Sequence, residues 1–179
     1  MKMKGSLQLC LLVLALGCLP AAAENTGFYA GAGIGFSELD AGGGGISFDD
    51  DDTGWKLFGG YDVSPNIAVE VFWVDLGDFS DTVLGVPVKF EVDGIGAAGV
   101  GSLPVSDMFS VHAKLGIWAW DAEARAGAVS ADDDGADIMF GLGGSYTPGG
   151  AFSVRLEWER YTADSDDADL FAISGVYHF

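Results

Sequence analysis

From residue 27 onward, apolar and polar positions alternate with a period of two in eight separate stretches: 27–39, 54–63, 66–75, 88–103, 108–121, 137–147, 151–161 and 170–179. That period belongs to a β-strand whose two faces meet different surroundings. Trp55, Leu57, Gly59 and Tyr61 oppose Lys56, Phe58, Gly60 and Asp62, and Ile67, Val69, Val71 and Trp73 oppose Ala68, Glu70, Phe72 and Val74. Phe109, Val111, Ala113, Leu115 and Ile117 oppose Ser110, His112, Lys114 and Gly116. Phe152, Val154, Leu156 and Trp158 oppose Ser153, Arg155, Glu157 and Glu159. The last stretch sets Phe171, Ile173, Tyr177 and Phe179 against Ala172, Ser174 and His178. In the fourth, Gly94 to Gly101 is so rich in Gly and Ala that no phase can be read.

The links between the stretches alternate in length. The first is long and acidic, and the second is only Ser64-Pro65-Asn66 at its tip. The rest run long at 76–87, short at 104–107, long at 122–136, short at 148–150, and longer again at 162–169. Each short link combines Pro with Asn, Asp or Gly, the residues of tight turns. Short turns at one end and long loops at the other are the habit of outer-membrane barrels, and eight strands let such a barrel close. The sequence therefore predicts an all-β fold, an eight-stranded antiparallel transmembrane β-barrel over residues 24–179. Apolar residues would face lipid and charged ones the lumen, with Phe28, Trp73, Phe109, Trp158, Tyr177 and Phe179 as interfacial aromatics. Alternation alone does not say which face is inside. A secreted lipocalin-like carrier, which turns its apolar faces inward, is the competing fold.

The first residues set the compartment. Lys2 and Lys4, an apolar run from Leu9 to Leu19 and the small residues Ala21-Ala22-Ala23 have the form of a cleaved export signal over residues 1–23. Ala15-Leu16-Gly17-Cys18 loosely resembles a lipobox, but the small-residue site after it is the cleaner one. Cys10 and Cys18 are the only cysteines, so a chain cut after Ala23 holds neither thiol nor disulfide. After the signal no apolar run reaches the 18 or so residues that a membrane helix needs. The expected location is the outer membrane of a Gram-negative bacterium.

Charge is strongly one-sided. Of eight Lys and Arg, two fall in the signal, leaving six against 27 Asp and Glu and a formal charge of −21. Nucleic acid is thereby excluded as a partner. The acids gather between the alternating stretches, and Asp49, Asp50, Asp51, Asp52, Asp132, Asp133, Asp134, Asp164, Asp166 and Asp167 are weak candidates to collect Ca²⁺ or Mg²⁺. An EF-hand is not among the possibilities, because the run from Asp49 has Gly54 in place but no ligating Glu at position twelve. Divalent ions there could bridge to lipopolysaccharide phosphates.

Several of these segments carry a family resemblance. Gly94-Ile-Gly-Ala-Ala-Gly-Val-Gly-Ser-Leu-Pro-Val with Phe109-Ser-Val-His-Ala-Lys-Leu-Gly116 resembles the fourth and fifth strands of the OmpA-like transmembrane-domain family. Val154-Arg-Leu-Glu-Trp-Glu159 is similar to its seventh strand, Gly175-Val-Tyr-His-Phe179 to its closing strand and Gly27-Phe-Tyr-Ala-Gly-Ala-Gly-Ile-Gly to its first. The resemblance implies a monomeric barrel in contact with outer-membrane lipid and lipopolysaccharide, delivered by the barrel assembly machinery, for which Tyr177 and Phe179 would be the signal. The sequence closes at Phe179, so the expectation is a barrel alone, as in OmpX-type members, without a peptidoglycan-binding domain.

Inside such a barrel, Lys56, Glu70, Glu91, Lys114, Arg155 and Glu157 are expected to form a network of paired charges. The leading reading is a structural or surface-interaction protein acting in membrane integrity, adhesion or host contact. The alternative is a narrow pore gated by that network. No catalytic residue and no cofactor are expected. The His-x-Ser pair of PagL-type lipid A deacylases is missing, since His112 is followed by Ala113 and Lys114, and His178 has no Ser beyond it.

Overall fold

The computed structural model describes residues 27–40, 52–83, 86–126, 129–163 and 166–179. They form eight strands: β1 (Phe28–Asp40), β2 (Asp52–Ser64), β3 (Ile67–Val83), β4 (Val86–Pro104), β5 (Phe109–Ala126), β6 (Val129–Tyr146), β7 (Phe152–Ala163) and β8 (Asp166–His178). Each pairs antiparallel with its sequence neighbours, and β1 closes on β8 from Tyr29 opposite His178 to Asp40 opposite Asp167.

The alternating faces lie as the membrane reading requires. Val71, Leu115, Ile117 and Leu156 on the outer surface are 62% to 67% exposed, whereas Lys56, Glu70, Lys114 and Glu159 inside are 1% to 4% exposed. A carrier soluble in water would reverse this, so the lipocalin-like fold is ruled out. Aromatic residues bound the apolar band at both ends. Phe28 packs on Tyr61 and Phe109 on Tyr146 at the turn end, and Phe140 meets Trp158 edge-on at the other. Between Phe28 and Phe36 the belt is on the order of 20 Å tall, allowing for strand rise and tilt.

At the turn end the backbone is tied sideways as well as along the strands. Asn66 donates from Nδ2 to the Ser102 carbonyl at 2.9 Å, the Thr147 amide donates to Met108, and the Phe179 amide to Phe28. The turn after β6 depends on Gly149 and Gly150, whose φ of 121° and 81° other residues rarely adopt.

Glycine also settles the phase of β4. Its even-numbered residues face inward, and a side chain on Gly96 would collide with the ring of Phe72, its cross-strand neighbour, as one on Gly94 would with Trp118. The same arrangement sets Phe58 over Gly31, Tyr29 over Gly60, Trp120 over Gly135 and His112 over Gly143. An eight-stranded lumen is about wide enough to be filled by side chains, and here six large rings stand on glycines that leave them room.

The structure corrects the expected loops. Residues 76–83, 86–87, 122–126 and 129–136 are strand, because β3 pairs with β4 up to Val83 opposite Val86, and β5 with β6 up to Ala126 opposite Val129. Their sequence lacks the alternation because both faces of this part stand outside the bilayer. β2 pairs with β3 only as far as Asp75, and β7 with β6 only as far as Met139. Strands β3 to β6 therefore continue as a four-stranded wall above the closed barrel.

Candidate functional site

Two groups of charged residues distinguish this barrel, one in the lumen and one on the wall. In the lumen, Lys114 Nζ lies 2.7 Å from Glu70, 2.5 Å from Glu157 and 3.1 Å from Glu159. Lys56 Nζ reaches Glu157 at 2.9 Å and Glu159 at 2.8 Å, and Arg155 Nη1 reaches Glu70 at 2.8 Å. Alternation on β2, β3, β5 and β7 aims all six side chains at the axis, so three acids meet three bases. Tyr29 donates to Glu70 at 2.9 Å, Tyr161 to Glu159 at 2.8 Å, and His112 Nε2 lies 3.0 Å from Glu157. Phe58 sits among the cations, with Lys56, Lys114 and Arg155 at 5.1, 5.2 and 5.3 Å from its ring centre. Among the described residues, no buried side-chain nitrogen or oxygen lacks a partner.

Five of the six residues expected in the network are therefore together, and Glu91 is not. It is exposed on β4, opposite Asp78 of β3 and Glu123 of β5, on the outer face of the wall. The glycine-rich stretch of β4 hid the phase that would have placed it. Sequence reasoning put Glu159 and His112 inside the barrel but left them out of the network. Tyr161 it missed altogether, although the same alternation along β7 turns it inward.

Beyond the network the lumen is filled mainly by apolar side chains, with Asp137 accepting from the Trp120 indole at 3.1 Å. Trp118 packs against Tyr161 with ring centres 4.9 Å apart and donates to the Thr162 carbonyl at 2.9 Å. Val74, Leu76 and Leu170 beside it are wholly buried, and Met139 and Trp120 nearly so.

On the wall, the register sets like charges opposite one another. Asp75, Asp93, Asp121 and Asp134 form one row across β3, β4, β5 and β6, and Asp78, Glu91, Glu123 and Asp132 form the next. A third row brings Lys89 opposite Arg125. The first row stands directly above the belt, Asp75 following Trp73 on the same face, and the Trp73 indole donates to Asp93 at 3.3 Å. Burial raises the carboxyl pKa of Asp93; the Trp73 hydrogen bond opposes this, and the facing Asp121 and Asp75 add to it. Directly opposed like charges destabilise a sheet, so this row is held at an energetic disadvantage.

The metal candidates do not converge. Asp49, Asp50, Asp51 and Asp164 lie outside the described residues, and so does the side chain of Asp166. Asp52 starts β2 and accepts from the Thr53 amide, Asp167 lies 3.8 Å from Arg160, and Asp132 and Asp134 face away from Asp133 on alternate sides of β6. Among the described residues, no three carboxylates or histidines stand close enough to hold a metal ion. Tyr177 and Phe179 pack edge-on at 5.2 Å on the outer face of the turn end.

A family model described as the outer membrane protein beta-barrel domain matches residues 9–179. The chain belongs to that family. It is an outer-membrane protein, and its barrel resembles three solved structures at low sequence identity. Neisserial surface protein A is 12% identical with a TM-score of 0.68, the match covering 86% of this chain and 97% of that one. Ail, the attachment invasion locus protein of Yersinia pestis, solved in complex with the heparin analogue sucrose octasulfate, is 18% identical with a TM-score of 0.62, covering 86% and 99%. The N-terminal barrel domain of Pseudomonas aeruginosa OprF is 8% identical with a TM-score of 0.62, covering 87% and 100%. No curated protein matches the chain. These likenesses establish the family's fold, and the charged groups above are features of this chain.

Proposed function

We propose that this barrel is a non-catalytic, non-conducting surface protein, and that its working part is the acidic wall formed by β3 to β6. The observation that carries the reading is the first carboxylate row, placed where lipid headgroups meet the aromatic belt. Carboxylates held opposite one another at that height favour divalent cations, which are hard ions with oxygen ligands. Lipopolysaccharide phosphates can complete their coordination, so Ca²⁺ or Mg²⁺ would join the wall to neighbouring lipid and support membrane integrity. With cross-strand neighbours about 5 Å apart, each ion would be shared by two carboxylates and the lipid rather than caged by the protein alone.

Above the lipid, the same charge favours a cationic partner or host surface. The polyanion in the Ail complex does not transfer to this chain, whose net charge is −19 before any signal is removed. The closely buried inward side chains, Trp118, Tyr161, Leu76, Leu170 and Met139 among them, support the non-conducting half of the reading, and the gated pore is not favoured.

Calorimetric titration of the folded protein with CaCl₂ in phosphatidylcholine nanodiscs tests the row. The expected result is heat of binding that disappears in a variant carrying Asp93→Asn, Asp121→Asn and Asp134→Asn, and apparent affinity that rises when lipopolysaccharide is added to the disc. Identical titrations of the two proteins would defeat the reading.

A further inference from the structure

The lumen is asymmetric from end to end. At the turn end many inward positions are small and hydroxylated: Ser102, Ser110, Ser145 and Thr147 are only partly buried, beside the half-buried His178 and the buried ring of Tyr29 that lies against Arg155. The hydroxyls reach the deeper groups, Thr147 donating to Ser153 at 3.0 Å and Ser145 lying 3.4 Å from His112 Nδ1. Within the network, the side chain most open to this vestibule is Arg155, 9% exposed where its partners are 1% or 2%. Towards the opposite end, Trp118, Tyr161, Leu76, Leu170 and Met139 close the bore at 0% or 1% exposure. The two tiers meet at Glu159, which holds Lys56 and Lys114 on one side and the Tyr161 hydroxyl on the other.

From this we infer that the lumen is a blind half-channel, wetted from the turn end as far as Arg155 and shut by two seals in series. The ion-pair tier and the aromatic–aliphatic tier are held by different forces. The first depends on charge balance and hydrogen bonds, which are strong where water is excluded. The second depends on packing of large rings and aliphatic side chains, and its few polar groups are already engaged, Tyr161 with Glu159, Trp118 with the Thr162 carbonyl and Trp120 with Asp137, so an ion finds little there to replace its hydration. Loosening the ion pairs therefore leaves the second seal shut, and the network alone does not act as a gate.

The inference rests on the closed lumen of the proposed function, and planar-bilayer recordings separate the two. The unaltered chain is compared with a charge-neutral removal of one ion pair (Glu70→Ala with Arg155→Ala), a lid variant (Trp118→Ala with Trp120→Ala), and the combination of all four. Each is purified in the unboiled form whose gel mobility shifts on boiling. Flat current from the first three and ohmic current from the fourth is the expected result. Current from the unaltered chain would overturn the closed-lumen reading itself. Current from either partial variant would leave that reading standing and overturn the two seals in series, and so would a flat trace from the combined variant. Should the combined variant not fold, Ser145→Cys and Ala122→Cys provide a second test, since residues 24–179 contain no native cysteine. A membrane-impermeant thiol reagent confined to the turn side should label only Ser145→Cys, and one confined to the other side only Ala122→Cys. Labelling of both from one side would overturn the proposal.

Discussion

The lumen and the wall use the same ionisable residues in opposite ways. Inside, three acids and three bases are so arranged that every carboxylate touches at least one cation, and the hydroxyls of Tyr29 and Tyr161 take up further oxygen atoms. Outside, β-pairing lines up four aspartates in one row. The difference follows from the medium. In the buried network an unmatched charge is strongly penalised, so composition and geometry must balance. Above the belt, water and counter-ions screen the repulsion, and an unfavourable row is tolerated.

The contrast breaks most sharply at Lys114, which touches Glu70, Glu157 and Glu159. Lys114→Ala should lower unfolding stability by roughly 3–5 kcal/mol, read from urea titration of tryptophan fluorescence in detergent micelles. A loss no larger than that of Asp134→Ala would remove the distinction. Next comes the packing beside the network. Gly96→Val drives a side chain into Phe72 and should destabilise by about 1–3 kcal/mol in the same titration.

The wall should respond with the opposite sign. Asp93→Asn is expected to raise stability at pH 7 by about 0.2–1 kcal/mol, because it removes a charge from between Asp75 and Asp121. The pH dependence carries the same sign. A carboxyl whose folded pKa is raised penalises the fold where it is ionised, so the penalty shrinks as pH falls through that raised value. The advantage of Asp93→Asn should accordingly fade on acidification, and an advantage that grew instead would argue against repulsion. Smallest of all is Gly101→Ala, on the lipid face of β4 with nothing within 4 Å of the added carbon, which should leave the midpoint unchanged.

Much of the lumen was legible from residue order. Lys56, Glu70, Lys114, Arg155 and Glu157 sit on the polar phase of clearly alternating strands, and a charge on the inner phase of a narrow barrel must find a partner. Glu91 was misplaced because glycine and alanine between positions 94 and 101 carry no amphipathic signal; the rings of Phe72 and Trp118 that stand on those glycines become visible only in three dimensions. The wall was hidden for another reason. Above the membrane neither face of β3 to β6 is required to be apolar, so strand residues such as 122–126 read as loops. The row of aspartates is invisible in sequence, since Asp75, Asp93, Asp121 and Asp134 are brought together by register alone.

The opposite use of charge is tested most directly by two double-mutant cycles run side by side, one on Glu70→Gln with Lys114→Met and one on Asp93→Asn with Asp121→Asn. Unfolding free energies of the seven proteins should give a favourable coupling in the lumen of about 1.5 kcal/mol or more and an unfavourable one on the wall. A favourable coupling between the two aspartates, or none between Glu70 and Lys114, would contradict the account.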